Sequence, residues 1–336
     1  MNKRVLNVVI SLIVAGLFIW LAARTVDPAE FREQFAQVSF YWLPFFIVVL
    51  IMSHFLRAER WRLLLHQDVK SEIPRSTLFA GVMFGYFMNT IVPRLGEVTR
   101  PVYVARKHGL SSGNLLGTIV LERLIDVCTM LLLMCVVALT LTREFGLLEQ
   151  LLGISSWRWY TYLIIPSILL TLVVFIWAFY KALMYLDKTK KISNPLLQKF
   201  VGVSRSFGEG MVSIKNIDNW PGFILLTAGI WIGYIFMIYI PFSMLNLGES
   251  YDLTLQSAIV LTVVSSVGVS IPTPAGIGSY HLLMQQSMWL LYGVPLATGL
   301  TFATVAHAVS IILILIIGPL SLWFDKYYTL RTDSNR

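Results

Sequence analysis

The stretch Ile271-Pro-Thr-Pro-Ala-Gly-Ile-Gly278 places several helix-breaking residues inside Leu253–Phe324, a segment without a single formal charge. A segment this long and apolar is stable only within a bilayer. Lipid cannot hydrogen-bond to backbone amides, so an irregular backbone at membrane depth must be buried in protein or line a cavity. The sequence therefore predicts a membrane protein with a transport or lipid-handling site near this break.

The overall composition indicates the same class of protein. Of 336 residues, 57% are hydrophobic and 13% are charged, whereas soluble chains contain about 25% charged residues. The net charge of +8 is typical of cationic cytoplasmic loops, and no nucleic-acid-binding motif occurs, so we expect no nucleic acid partner. Cys128 and Cys135 lie in an apolar helical stretch and predict neither a disulfide nor a metal site.

Charge-poor windows predict an all-α polytopic membrane protein with about six full spans. The first window is longer than the apolar core of a typical signal peptide, so we expect it to remain uncleaved. The predicted spans are Val5–Ala23, Phe40–Leu56, Leu115–Thr142, Tyr160–Tyr180, Phe223–Leu247 and Leu296–Trp323.

The distribution of lysine and arginine predicts the orientation. Basic residues concentrate in Arg57–Arg75 and Lys181–Lys215, which is typical of cytoplasmic loops and predicts that both termini lie in the cytoplasm. We therefore expect a multi-pass protein of the prokaryotic cytoplasmic (inner) membrane.

Two further apolar segments cannot cross the membrane fully in this orientation. The first would dip in from the cytoplasm and turn near Asn89–Pro93. The second, Leu253–Tyr292, would dip in from the outside and turn between Pro272 and Gly278. Two re-entrant helical hairpins that enter from opposite faces would form an inverted repeat.

The domain organisation follows from these segments. We expect one transmembrane domain over residues 1–326 and a short cytoplasmic tail over residues 327–336. Within the domain, residues from about 181 to 218 have apolar side chains at helical spacing among lysines. This pattern predicts a cytoplasmic amphipathic helix, which either lies on the membrane or packs on the protein's own loops. Asp27-Pro-Ala-Glu30 predicts the start of a short helix at the outer interface.

The first charged motif at membrane depth runs from Asn89 to Arg100. Pro93 suits the first turn of a helix, whose free backbone amides attract anions. Gly96 permits the close approach of another backbone or a ligand. Three charged residues recur every three positions and so share one helix face: Arg94, Glu97 and Arg100. A phosphate would find both amides and guanidinium groups here.

The second charged motif is Glu122-Arg123-Leu-Ile-Asp126. A charge at the bilayer centre costs about 2.5–3.5 kcal/mol, so these residues must pair or face water. The natural partners are the charged residues of the first motif, and Arg123 can also reach Asp126. Three arginines and three acids would then form a network that is neutral when empty. We interpret it as a ligand site; the alternative is an inert set of ion pairs that holds hairpin to helix.

The second turn supplies the remaining candidate residues. Its backbone is shaped by Pro272, Pro274, Gly276 and Gly278, and His281 follows directly. His281 could gain a proton near neutral pH and help to hold an anion, or it could stay neutral and bond to the backbone of the turn. His307 is interpreted as a hydrogen-bonded core residue.

Other motifs indicate no chemistry of their own. Arg57-Ala-Glu-Arg60-Trp61 closes the second span, and we interpret it as a cytoplasmic interface anchor. No phosphate-binding loop, zinc-protease motif or dinucleotide fingerprint occurs. We therefore expect no enzymatic activity, no cofactor and no metal.

Taken together, these motifs resemble the lysylphosphatidylglycerol synthase transmembrane region family over nearly the whole chain. The matching residues are Asn89, Pro93, Arg94, Gly96, Glu97 and Arg100, then Glu122, Arg123 and Asp126, then Arg57, Arg60 and Trp61. That family also has a Pro-x-Pro-Gly-Gly-x-Gly turn followed by an acidic residue. Here Ala275 replaces one glycine and His281 stands where the acid is usual.

The resemblance implies the translocation of lipids with charged or glycosylated headgroups. In the multiple peptide resistance factor this module precedes an aminoacyltransferase domain, and we expect a stand-alone module here. Our leading interpretation is a flippase for an anionic, phosphate-linked lipid, so membrane lipids are the expected partners. The alternatives are a secondary transporter of a small anionic solute and a non-transporting partner of a lipid-modifying enzyme; a homo-oligomer is compatible with each.

Overall fold

The computed structural model describes residues 3–140 and 213–334, and the regular structure of these residues is helical. The helices are α1 (Lys3–Ala23), α2 (Pro28–Ala36), α3 (Leu43–Leu63), α4 (Gln67–Glu72), α5 (Arg75–Ile91), α6 (Leu95–Lys107), α7 (Ser112–Thr140), α8 (Trp220–Met244), α9 (Leu247–Tyr251), α10 (Leu255–Ser270), α11 (Ser279–Tyr292) and α12 (Leu296–Ser334). The predicted span Tyr160–Tyr180 and nearly all of the predicted amphipathic insert lie outside the described residues.

Three helical segments of the described part are long and apolar enough to cross a membrane: Phe40–Leu63, Trp220–Met244 and Leu296–Tyr327. A fourth candidate is the pair Val9–Ala23 and Pro28–Ala36, which is bent by 89°. An integral membrane protein built from helices is therefore confirmed, whereas the predicted number of six full spans is not. Asp27 caps α2 as predicted, because its carboxylate accepts a hydrogen bond from the amide of Ala29.

Helices α5 and α6 form a first hairpin whose two arms touch through glycine. A Cβ atom added to Gly96 would overlap the carbonyl oxygen of Gly85, so the close approach at Gly96 is to a backbone. Asn89 secures the same contact, because its side-chain oxygen accepts a hydrogen bond of 2.7 Å from the amide of Gly96. The expectation that Pro93 lies in the first helical turn is wrong. Arg94 is the N-cap of α6, and Pro93 precedes it.

Both ends of this hairpin contact the same buried carboxylate on α12. Asp325 accepts hydrogen bonds from Thr77 at 2.7 Å, from Tyr103 at 2.5 Å and from Lys107 at 2.6 Å. Thr77 lies at the start of α5, and Lys107 is the last residue of α6. The chain therefore enters and leaves the hairpin at one level, with its turn at the other.

Helices α10 and α11 form a second hairpin around the break between Ile271 and Gly278. Ser279 closes this turn, because its hydroxyl donates to the carbonyl oxygen of Gly268 at 2.8 Å. At the opposite end of the hairpin, Leu253 and Val294 belong to one buried apolar cluster. The two hairpins meet at their turns, where Arg94 Nη2 donates to the carbonyl oxygen of Ser270 at 3.2 Å.

We expect Gly96→Ala to destabilise the first hairpin by about 1–3 kcal/mol, because the added methyl group forces α5 and α6 apart. Gly16→Ala in α1 is the matched control. No described atom lies within 4 Å of a Cβ built on Gly16, so this change should be neutral or stabilise the helix by up to about 1 kcal/mol. Melting temperatures in detergent micelles measure both effects, and equal melting temperatures for the two variants would contradict this account of the hairpin.

Candidate functional site

Five charged side chains from three helices form what we call the buried network. Arg57 and Arg60 come from α3, Arg100 from α6, and Glu122 and Asp126 from α7. Arg57 Nη1 lies 2.9 Å from Asp126 Oδ2, and Arg60 Nη2 lies 2.7 Å from Asp126 Oδ1. Arg100 Nη2 lies 3.1 Å from Glu122 Oε2, and Arg57 also pairs with Glu122. The side chains of Arg60 and Glu122 are 0% exposed.

The interface-anchor interpretation of Arg57 and Arg60 is wrong. Both guanidinium groups turn inward and pair with the carboxylates of α7. A sequence signal for this existed. Arginines three apart on α3 and acids four apart on α7 each define one helix face, and two such faces can meet. The anchor interpretation is wrong because an unpaired charge inside the bilayer is costly. The acids of α7 therefore pair with more arginines than the first motif provides.

The predicted contacts between the two charged motifs are present in part. Arg100 Nη1 donates to Glu122 Oε1 at 3.1 Å, as expected. Arg123 lies between two acids, 3.6 Å from Glu97 and 3.7 Å from Asp126. The expected pairing of Arg94 with an acid is wrong for the residues that the structure describes. Its guanidinium instead reaches across to the second hairpin.

Aromatic side chains fix the orientation of the buried arginines. Tyr234 on α8 accepts hydrogen bonds from Arg57 Nε at 3.1 Å and Nη2 at 2.7 Å. The guanidinium carbon of Arg100 lies 4.1 Å from the ring centroid of Trp61, within the range of a cation–π contact. Trp61 is itself held by a hydrogen bond of 2.8 Å from Nε1 to the hydroxyl of Thr118. Arg57 and Arg100 are therefore rigidly placed.

Some buried arginine donors of the network have no acceptor among the described residues. Arg60 Nε, Arg60 Nη1 and Arg100 Nε are buried and make no hydrogen bond. A buried donor without an acceptor is costly, so each of these groups requires water or a ligand atom. The three arginines of the network therefore present more donors than its two carboxylates occupy.

Three further charged residues, Arg94, Glu97 and Arg123, are accessible, and we call them the open edge. The side chains of Arg123 and Glu97 are 39% and 41% exposed, and Arg94 is exposed. Arg94 also has a left-handed backbone, with φ of 61°. This conformation is costly for a residue other than glycine and is found disproportionately at functional sites.

The second turn lies directly opposite Arg94. Pro274–Gly276 forms a single helical turn, and Pro274 is buried. Pro272, which precedes this turn, is exposed. Gly276 and Gly278 have positive φ values of 79° and 87°, which glycine adopts readily. Ala275 also has a positive φ, of 52°. That conformation explains why glycine is usual there in the resembled family.

His281 serves as a cap for this turn. Its Nδ1 accepts a hydrogen bond of 3.3 Å from the amide of Gly278, and His281 is the third residue of α11. An acidic residue at the same position would accept the same bond, as in a capping box. This geometry is that of the second alternative, a histidine bonded to the turn. His307 is confirmed as a hydrogen-bonded core residue, because Nε2 lies 3.0 Å from the carbonyl oxygen of Ala275.

Comparisons with known proteins agree with the motifs. The family model described as "Lysylphosphatidylglycerol synthase TM region" matches residues 8–318. A UPF0104 membrane protein of Methanocaldococcus jannaschii is 26% identical over 296 residues, which cover 84% of this chain and 83% of that protein. No solved structure matches the chain. Because the family model covers most of the chain and the charged motifs assemble into one site, the chain belongs to the lysylphosphatidylglycerol synthase transmembrane region family.

Proposed function

We propose that the protein is a flippase that moves an anionic, phosphate-linked lipid across the cytoplasmic membrane. The headgroup binds at the open edge, where the turns of the two hairpins meet, while the acyl chains stay in lipid. One observation carries this proposal. Arg94 at the first turn and Ser270 at the second are joined by a single hydrogen bond of 3.2 Å, beside an arginine-rich network.

The arginines divide into fixed and movable groups. Arg57 and Arg60 make contacts of 2.7–2.9 Å with a carboxylate, so they supply a constant positive potential. Arg123 lies 3.6 Å or more from its acids, and Arg94 bonds to a neutral carbonyl. These two side chains can turn toward a phosphate at small cost. A guanidinium matches two phosphate oxygens at once, which makes arginine a strong phosphate ligand.

The surroundings of the open edge favour a lipid over a small solute. Its sequence neighbours with exposed apolar side chains are Ile91, Val98 and Leu124. Charged and apolar side chains are thus exposed at neighbouring positions of these helices. A headgroup attached to acyl chains needs both kinds of contact, whereas a soluble anion requires an aqueous cavity lined by polar groups. This is why we place the secondary transporter second.

We propose that both hairpins are re-entrant and enter from opposite faces as an inverted repeat. At 1.5 Å per residue, the 13 residues of α6 span about 20 Å and the 14 residues of α11 about 21 Å. Both are shorter than the roughly 30 Å of the hydrocarbon core. The shared contact of Thr77 and Lys107 with Asp325 further supports a first hairpin that returns to the side it entered. Both termini are then cytoplasmic.

We expect Arg123→Ala and Arg94→Ala each to lower the rate of lipid movement by at least about tenfold, since each removes a charged phosphate contact. The assay is transbilayer movement of a fluorescent anionic phospholipid in proteoliposomes. Arg75→Ala is the matched control, because Arg75 is 63% exposed and pairs with Glu59, which is not one of the residues of the buried network. Wild-type rates in both folded variants would refute the site.

The topology has its own test. In a background without Cys128 and Cys135, we expect single cysteines at Ser111 and Ser334 to react with a membrane-impermeant maleimide only after the cells are permeabilised. A cysteine at Ser39, on the predicted outer side, should react in intact cells and serves as the control. Labelling of position 111 or 334 in intact cells would contradict the proposed orientation.

A further inference from the structure

The first hairpin is tied to its neighbours by ion pairs at two levels. Midway along α6, Arg100 pairs with Glu122 of α7 at 3.1 Å. At the end of α6, Lys107 pairs with Asp325 of α12 at 2.6 Å, and the side chain of Asp325 is 1% exposed. Moving this hairpin away from α7 or α12 would part charges that are shielded from water, which is strongly destabilising.

The charged set on this side of the site is larger than the sequence predicted. Across residues 3–140 and 213–334, the ion pairs around the site connect four arginines to three carboxylates: Arg57, Arg60, Arg100 and Arg123 to Glu97, Glu122 and Asp126. The expected neutral network of three arginines and three acids is therefore wrong, because it omitted the two arginines of α3. Ion pairs thus join α3, the first hairpin, α7 and α12, and we call these helices the fixed frame.

The second hairpin is held by contacts of another kind. The residues from Leu253 to Phe324 include no Asp, Glu, Lys or Arg, so α10, the turn and α11 cannot form ion pairs through such side chains. Gln285 of α11 instead donates a hydrogen bond of 3.0 Å to the carbonyl oxygen of Ala22 in α1. The apolar contacts of this hairpin resist separation weakly in a bilayer, because lipid tails can replace them.

Hydrogen bonds to uncharged acceptors join the second turn to the fixed frame. His307 Nε2 of α12 donates to the carbonyl oxygen of Ala275 at 3.0 Å. Arg94 Nη2 of α6 donates to the carbonyl oxygen of Ser270 at 3.2 Å and closes the gap between the turns. A phosphate oxygen is a charged acceptor and binds a guanidinium more strongly than a neutral carbonyl does. An arriving headgroup can therefore take Arg94 from Ser270.

From this difference we infer, on the basis of the proposed flippase function, that the second hairpin is the moving gate of the site and the first hairpin stays with the fixed frame. When a phosphate binds Arg94, the second turn separates from the first and the headgroup passes between them. The turn keeps its own shape, because the hydroxyl of Ser279 lies within 3.1 Å of the carbonyl oxygens of Gly268 and Gly276. The buried apolar cluster at the opposite end of the hairpin is the pivot.

Reversible crosslinks to α12 test this assignment in proteoliposomes. In a background without the native cysteines, Tyr280→Cys and His307→Cys join the second hairpin to α12 near its turn, where the native rings lie 4.6 Å apart. The matched pair, Phe87→Cys and Gly318→Cys, joins the first hairpin to the same helix. A Cβ atom built on Gly318 would lie 2.9 Å from the Cβ atom of Phe87. A short bis-methanethiosulfonate reagent closes either pair, and dithiothreitol reopens it.

The two crosslinks should have opposite consequences for the movement of fluorescent phosphatidylglycerol. We expect closure at Tyr280 and His307 to slow it by at least about tenfold, reversibly, because a gate that cannot open blocks passage. Closure at Phe87 and Gly318 should leave the rate within about twofold of the open form. Inhibition by the second crosslink, or none by the first, would overturn the assignment while leaving a flippase in place. If the wild-type protein moves no lipid, the proposed function itself fails.

Hydrogen exchange of the wild-type protein decides if the cysteine variants do not fold. Helices α6 and α11 are similar in length, with 13 and 14 residues. In lipid nanodiscs we expect the backbone amides of α11 to exchange on the order of tenfold faster than those of α6, because an element that opens locally loses protection. Equal exchange in the two helices, or faster exchange in α6, would overturn the moving gate.

Discussion

Two carboxylates on α7 and the arginines that neutralise them determine how the helices around the site are arranged. Glu122 and Asp126 lie on a mainly apolar helix, where an unpaired charge costs several kcal/mol. Their partners come from two other helices, Arg57 and Arg60 from α3 and Arg100 from α6. Because each pair is formed across elements, α3, α6 and α7 cannot separate without exposing a buried charge. These ion pairs thereby hold α6 of the first hairpin in contact with α7, next to the proposed site.

The meeting point of the hairpins depends on a second constraint, which is backbone strain. Arg94 and Ala275 have φ values of 61° and 52° at the two turns. Such conformations cost about 1–3 kcal/mol each for residues other than glycine and persist only where neighbouring contacts enforce them. Asn89 holds the first turn, and His307 holds the second through the carbonyl oxygen of Ala275. Both strained residues thus lie at the proposed headgroup site. Their backbones are fixed, whereas the side chain of Arg94 can move.

The sequence predicted the elements whose physical cause is local. The apolar run, the breaks at Pro274 and Gly278, and the need of Glu122 for a cation all follow from what lipid cannot solvate. The features that the sequence did not predict depend on how deep a residue lies in the membrane and on partners that are distant in the sequence. Arg57 and Arg60 end an apolar helix, a position equally typical of an interface anchor, and only the packing of α3 against α7 shows that they turn inward. His281 was ambiguous for the same reason, because its role is set by the amide of Gly278.

We propose that Arg94 and Arg123 at the open edge bind an anionic phospholipid headgroup. Native mass spectrometry of the protein, purified in mild detergent from its membrane, tests this binding directly and independently of transport. We expect the wild-type protein to retain one anionic phospholipid and a variant with both Arg94→Ala and Arg123→Ala to lose it. Retention of a zwitterionic or cationic lipid by the wild type, or undiminished retention of the anionic lipid by the folded double variant, would contradict the account.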